Sequence, residues 1–146
     1  MSGNPLRFWH HHVGVSVPEL DAAIGWYCKV LGFELQRRFP IEAIPAQVAI
    51  LRNGPLHVEL FEVPQAAAAS PERGIPDRDV HTHGNKHVAF TVENLTELVE
   101  ELRRRGADIV WHRQFEFGAN AFIRDNSGNL IEFIQGPAPR ESFGTL

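Results

Sequence analysis

An α+β fold of two tandem β-α-β-β-β modules, curved into a cup-shaped mixed sheet, is predicted by three observations. The chain contains a degenerate copy of itself. His12-Val13-Gly14-Val15-Ser16-Val17-Pro18-Glu19-Leu20 lines up with His87-Val88-Ala89-Phe90-Thr91-Val92-Glu93-Asn94-Leu95 without a gap. Later in each copy, Val58-Glu59-Leu60-Phe61 lines up with Ile131-Glu132-Phe133-Ile134. Between these landmarks each copy changes from strand alternation to helical spacing and back to alternation.

The elements follow in order. Residues from about Trp9 to Val17 alternate as a strand, with Val13, Val15 and Val17 on one face and His10, His12, Gly14 and Ser16 on the other. From about Glu19 to Leu31, Leu20, Ile24, Tyr27, Cys28 and Leu31 recur at helical spacing, and Gly32 suits the left-handed residue that ends a helix. Strands follow at 33–39, 46–52 and 56–63, the last two joined by the hairpin signal Asn53-Gly54. The second copy repeats the order. His87–Val92 is a strand. Asn94 and Glu97 form a capping box for a helix with Leu95, Leu98, Val99 and Leu102 as its apolar stripe, and Gly106 ends it. Strands are expected at 108–113, 120–124 and 129–135, with Asp125-Asn126-Ser127-Gly128 as the last turn. The modules thus lie at about 9–63 and 86–136 of a single 1–146 domain. The Ala- and Pro-containing stretch 64–85 reads as a linker with at most one helical turn, and the tail beyond Gly136 as irregular.

Bulk composition narrows the function. A chain of 146 residues with 43% apolar and 22% charged residues is built to bury one core. A net charge of −4 excludes a broadly basic nucleic-acid surface. Arg103-Arg104-Arg105 falls where a helix ends and complements its dipole. A lone Cys28 permits neither an internal disulfide nor a thiolate zinc site. No apolar stretch approaches membrane-spanning length, and the N-terminus lacks a signal-peptide core, so a cytoplasmic protein is expected.

Each module opens with a strand-borne His and closes with a strand-borne Glu. Around Glu59, Val58 and Leu60 point one way while His57, Glu59 and Phe61 point the other. Around His87, Val88, Phe90 and Val92 oppose His87, Ala89 and Thr91. In each strand the strongly apolar face can cover a helix, leaving His or Glu on the second face. Glu132 shares that face with Leu130 and Ile134, where a carboxylate is costly unless paired or bound to a cation. Singly, each of these residues has a structural explanation. The matched phase of two His and two Glu points instead to a metal site built from both halves.

The signatures His12-Val13-Gly14-Val15 through Leu20-Asp21, Trp26-Tyr27 to Leu31-Gly32-Phe33, His87-Val88-Ala89-Phe90, and Asp125-Asn126-Ser127-Gly128-Asn129-Leu130-Ile131-Glu132 resemble the vicinal oxygen chelate superfamily of glyoxalases, epimerases, extradiol dioxygenases and bleomycin-resistance proteins. The resemblance implies a cup with one divalent ion (Zn, Ni, Co, Mn or Fe) held by His12, Glu59, His87 and Glu132. The set of two His and two Glu looks most like glyoxalase I, although no glutathione-binding pattern is evident. It implies a metal-dependent lyase or isomerase that moves a proton beside a chelated carbonyl. Glu132 is the expected base and Glu59 its counterpart across a small substrate with neighbouring oxygens. Two other readings stand beside it: an iron(II) extradiol-type dioxygenase, and a non-catalytic binder of a small molecule such as an antibiotic.

Exposed strand edges point to a homodimer, and the cup can close within one chain or between two. His10 and His57 share faces with ligand candidates, as rim or contact residues. His81 and His83 fall in the linker as loop or lid residues. Of Arg37 and Arg38, one points into the cup by alternation, toward an anionic group or open solvent. Phe61, Phe115, Phe117 and Phe122 line a pocket or fill the core, and Trp9, Trp26 and Trp111 pack.

Overall fold

The computed structural model describes residues 6–140. In the first module, strand β1 (Val13–Ser16) leads to helix α1 (Leu20–Leu31) and then to strands β2 (Glu34–Ile41), β3 (Ala46–Asn53) and β4 (Leu56–Glu62). The second module runs β5 (Val88–Val92), α3 (Leu95–Arg104), β6 (Asp108–Phe115), β7 (Gly118–Arg124) and β8 (Leu130–Gln135). Each forms its own four-stranded mixed sheet, in the orders β1-β4-β3-β2 and β5-β8-β7-β6. The β1–β4 and β5–β8 pairs, at one edge of each sheet, are parallel, and the others are antiparallel. The tandem α+β architecture is therefore as the repeat predicts, with one sheet per module.

The core explains how the modules sit together. Leu20, Tyr27 and Val30 of α1, Val58 and Leu60 of β4, Leu95, Val99 and Leu102 of α3, and Ile131 and Phe133 of β8 belong to one buried cluster. The helix-covered faces of both sheets thus feed a single core. Two polar ties reinforce it: Tyr27 Oη donates to Asp125 Oδ2 at 2.9 Å, and Arg105 donates to the Val30 carbonyl. Burial, then the Asp125 charge and their hydrogen bond, push the Tyr27 phenol well above its ordinary pKa, so it stays a donor. Strand alternation turns the second face of each sheet away from this core.

Helix starts are built alike in the two modules. Glu62, the last residue of β4, accepts from the Leu20 backbone N–H at 2.6 Å. Gln135, the last residue of β8, accepts from the Leu95 N–H at 3.1 Å. Asn94 caps α3 as expected, accepting from the Glu97 N–H at 3.1 Å, while its amide donates to the Glu97 side chain. Gly32 takes φ of 69° and Asn53 donates to the Leu31 carbonyl, so the hairpin turn closes the end of α1.

Three expectations change. The linker holds a 3₁₀ turn (Pro71–Gly74) and the short helix α2 (Pro76–Asp79), more than one helical turn. It is pinned because Arg124 donates to the Gly74 carbonyl, and Asp79, only 1% exposed, receives Lys86 and Arg73. The first strand begins at Val13 rather than near Trp9, since residues 9–12 make no strand ladder. Trp9 and Phe117 are exposed rather than packed, although Phe117 stacks on Phe115. Among the described residues, no helix is long and apolar enough to cross a membrane.

Candidate active site

The outer face of each sheet carries one half of a site. In the first module, cross-strand register places Gly14, Glu59, Ile50 and Arg37 in one row from β1 to β2. His12 lies just ahead of β1, and its Nε2 stands 2.8 Å from Glu59 Oε2. In the second module the matching row is Ala89, Glu132, Phe122 and Trp111. His87 lies just ahead of β5, with Nε2 2.7 Å from Glu132 Oε2. The glutamate side chains are 15% and 14% exposed, so both are largely withdrawn from water yet reachable from the face.

The two pairs are equivalent in the repeat, but their surroundings differ. Asn120, 7% exposed, donates from Nδ2 to Glu132 Oε1 and accepts from Trp111 Nε1, both at 3.2 Å. The His87 ring meets Phe122 edge-on, and Phe122 meets Trp111 in the same way. Glu132 is therefore fixed from two sides. At the place of Asn120 the first module has Val48, which offers no hydrogen bond. Around His12 the neighbour is another imidazole. His11 Nδ1 lies 2.6 Å from His12 Nδ1, and the His11 ring stacks toward His57.

Sequence reasoning places the four principal residues on these outer faces, and the structure joins them as two pairs. Within one chain the pairs stay apart. Among the described residues, no group of three or more His, Cys, Asp or Glu side chains is arranged to hold a metal ion. His10 is exposed, and His11 rather than His10 touches His12. Residues 9–12 lie ahead of the ladder, which begins at Val13, so strand alternation does not set which of these side chains share a face. His81 and His83 sit exposed in the turn after α2. Arg38 turns to Asp21 on α1, whereas Arg37 lies over the Phe39 ring on the site face. Asn120 and Trp111 were legible only as strand residues. Their phase relative to Glu132 depends on hairpin register and on a bulge between Ile109 and Trp111, which periodicity does not report.

A two-module chain, each module a β-α-β-β-β unit with a His–Glu pair on its outer face, defines a class of twin-module cup proteins. Residues 9–133 match the model of the Glyoxalase/Bleomycin resistance protein/Dioxygenase superfamily, and the chain belongs to that superfamily. It is 30% identical over 132 residues to a lactoylglutathione lyase of Arabidopsis thaliana, covering 88% of this chain and 44% of the relative. It is 32% identical over 108 residues to a 2-epi-5-epi-valiolone epimerase of an Actinomyces species, covering 64% of this chain and 56% of the relative. The chain thus spans about half the length of these relatives. The crystal structure of a glyoxalase family protein from Enterococcus faecalis aligns with a TM-score of 0.73 at 25% identity, covering 87% of this chain and 97% of that one.

Proposed function

We propose that this protein is a metal-dependent isomerase or lyase that moves a proton on the carbon beside a carbonyl of a small molecule with neighbouring oxygens. The observation that carries this reading is the matched pair of His–Glu contacts, at 2.8 and 2.7 Å, on equivalent strands. In each, a ring nitrogen and a carboxylate oxygen turn toward one point, which suits a divalent ion of the Mn–Zn series. His12 and Glu59 would supply one half of the donor set, and His87 and Glu132 the other. A bound ion there acts as a Lewis acid toward the substrate oxygens.

Because one chain presents two halves, the complete site is proposed to form in a two-fold dimer, the first module of one chain facing the second module of its partner. The outer edges of β1 and β5 and the exposed Leu6, Phe8 and Trp9 leading into His12 offer apolar and ladder surface for that contact. Glu132 is the proposed base. The Asn120 amide holds Oε1 and so fixes the direction from which the Glu132 carboxylate would meet the substrate carbon. Glu59, across the substrate, returns or removes a proton on the opposite side. The process is redox-neutral, in keeping with the lyase and the epimerase that the chain resembles.

Elemental analysis of protein purified without chelator tests the reading. About one ion per chain is expected, with His12→Ala and His87→Ala each lowering occupancy while leaving the circular dichroism spectrum native. Metal-free protein that takes up no divalent ion on reconstitution, or unchanged stoichiometry in both variants, would overturn it.

A further inference from the structure

Both outer faces carry the same device at their far ends. In β2, the Arg37 guanidinium lies 4.5 Å over the Phe39 ring. In β6, the Arg113 guanidinium lies 3.9 Å over the Trp111 ring. Register makes the positions equivalent with the residue types exchanged. Arg37 and Trp111 stand in the Glu59 and Glu132 rows, and Phe39 and Arg113 stand one row further on. A bulge at the same place in each module, between Leu35 and Arg37 and between Ile109 and Trp111, turns these side chains onto the site face. Since the residues are exchanged rather than copied, simple inheritance through the repeat does not account for a cation on an arene in both halves.

Stacking uses the flat face of a guanidinium and leaves its N–H edge open, and the ring limits the freedom the side chain must lose on binding. Arg38, Arg73, Arg104, Arg105 and Arg124 each have a carboxylate partner. Arg37 and Arg113, like Arg52, Arg78 and Arg103, have none among the described residues, and what sets these two apart is their place over a ring on the site face. Two strand spacings, about 10 Å, separate the Arg37 backbone from that of Glu59. Arg113 stands one row further from Glu132, and each arginine keeps a fixed relation to its own His–Glu pair whatever the assembly, because both lie in one sheet.

Resting on the proton-transfer reading above, we infer that the substrate carries an oxyanion at the end remote from its neighbouring oxygens, and that Arg37 and Arg113 select for it. A carboxylate and a phosphate present the same chemistry to an N–H edge. The test is binding of three hydroxamates to the cobalt-loaded dimer: pentanohydroxamic acid, glutaric acid monohydroxamate and 4-phosphonobutanohydroxamic acid. All three offer the same neighbouring oxygens on chains of similar length. At least one anionic probe is expected to bind roughly tenfold or more tightly than the neutral one, with a gap that shrinks as salt is added. The anion with the larger gap identifies the oxyanion. In the double variant Arg37→Gln/Arg113→Gln the gap should vanish, with affinity for pentanohydroxamic acid unchanged. Equal affinities in the native protein, or a gap that survives the double substitution, would overturn the anion assignment alone. If none of the three binds the loaded protein, the chelate reading fails, and this inference falls with it.

Discussion

At the scale of single residues, the repeat was enough to single out His12, Glu59, His87 and Glu132 as candidates and to foresee that each His and Glu share a face, because matched phase in two copies is visible without coordinates. It could not find Asn120. Its amide reaches Glu132 through a hairpin register, and nothing in the spacing of Asn120 and Glu132 in the chain announces a contact. If Glu132 holds the proposed ion, the Asn120 amide orients its carboxylate and raises the cost of losing it. Replacing Asn120 with Leu should therefore weaken metal binding by about 10- to 100-fold, as losing the hydrogen bond that orients a ligand commonly does. A competition titration against a chromophoric chelator measures this, and Val48→Ala in the first module serves as the control that leaves affinity nearly unchanged. Glu132→Gln tests a different property. It keeps size and the Asn120 neighbour but cannot take a proton, so turnover should fall by orders of magnitude while the unfolding midpoint moves little. A fully active Glu132→Gln protein would remove the assigned base.

At the scale of elements, strands and helices were legible to within a few residues because their periodicities are strong and their stop signals, Gly32, Asn53-Gly54 and Gly106, are local. What holds the elements to one another was less so. Neither Glu62 nor Gln135 looks like a helix cap, since each lies some 40 residues from the N–H it accepts. Each strand end delivers a side-chain oxygen to the start of its own module's helix, satisfying an otherwise unpaired N–H. Glu62 adds negative charge at the positive end of α1. The Glu62→Ala variant should lose about 1 kcal/mol of stability, and Gln135→Ala somewhat less for want of the charge. Urea unfolding followed by circular dichroism reads both. An equal loss in the two variants would argue that hydrogen bonding alone, without the dipole, sets the effect. The linker went unread for a related reason. Asp79 is buried by its partners Lys86 and Arg73, so a segment with the composition of a tether is fastened beside His87.

At the scale of the whole molecule, packing decides where a site can form. The helices of both modules share one core, so the faces that carry the His–Glu pairs are the ones turned from it. The repeat could predict two imidazoles and two carboxylates, but not that one chain would hold them as separate halves; that follows from which faces the helices cover. The modules are tied by Tyr27 and Asp125, and Tyr27→Phe should cost about 1–3 kcal/mol as a hydrogen bond to a charged acceptor is lost. The proposed dimer has a sharper consequence. His12→Ala and His87→Ala chains should each bind metal poorly alone. If each site draws one module from each partner, a mixed dimer contains one site lacking both histidines and one site lacking neither. Unfolding and refolding the two variants together, at equal concentration, should then restore about a quarter of the native high-affinity sites, given random pairing of identical interfaces. If both pairs instead met within a single chain, every site in the mixture would still lack one histidine, and no recovery would be seen. Metal content after gel filtration distinguishes the two, because only exchange between chains can return both imidazoles to one ion.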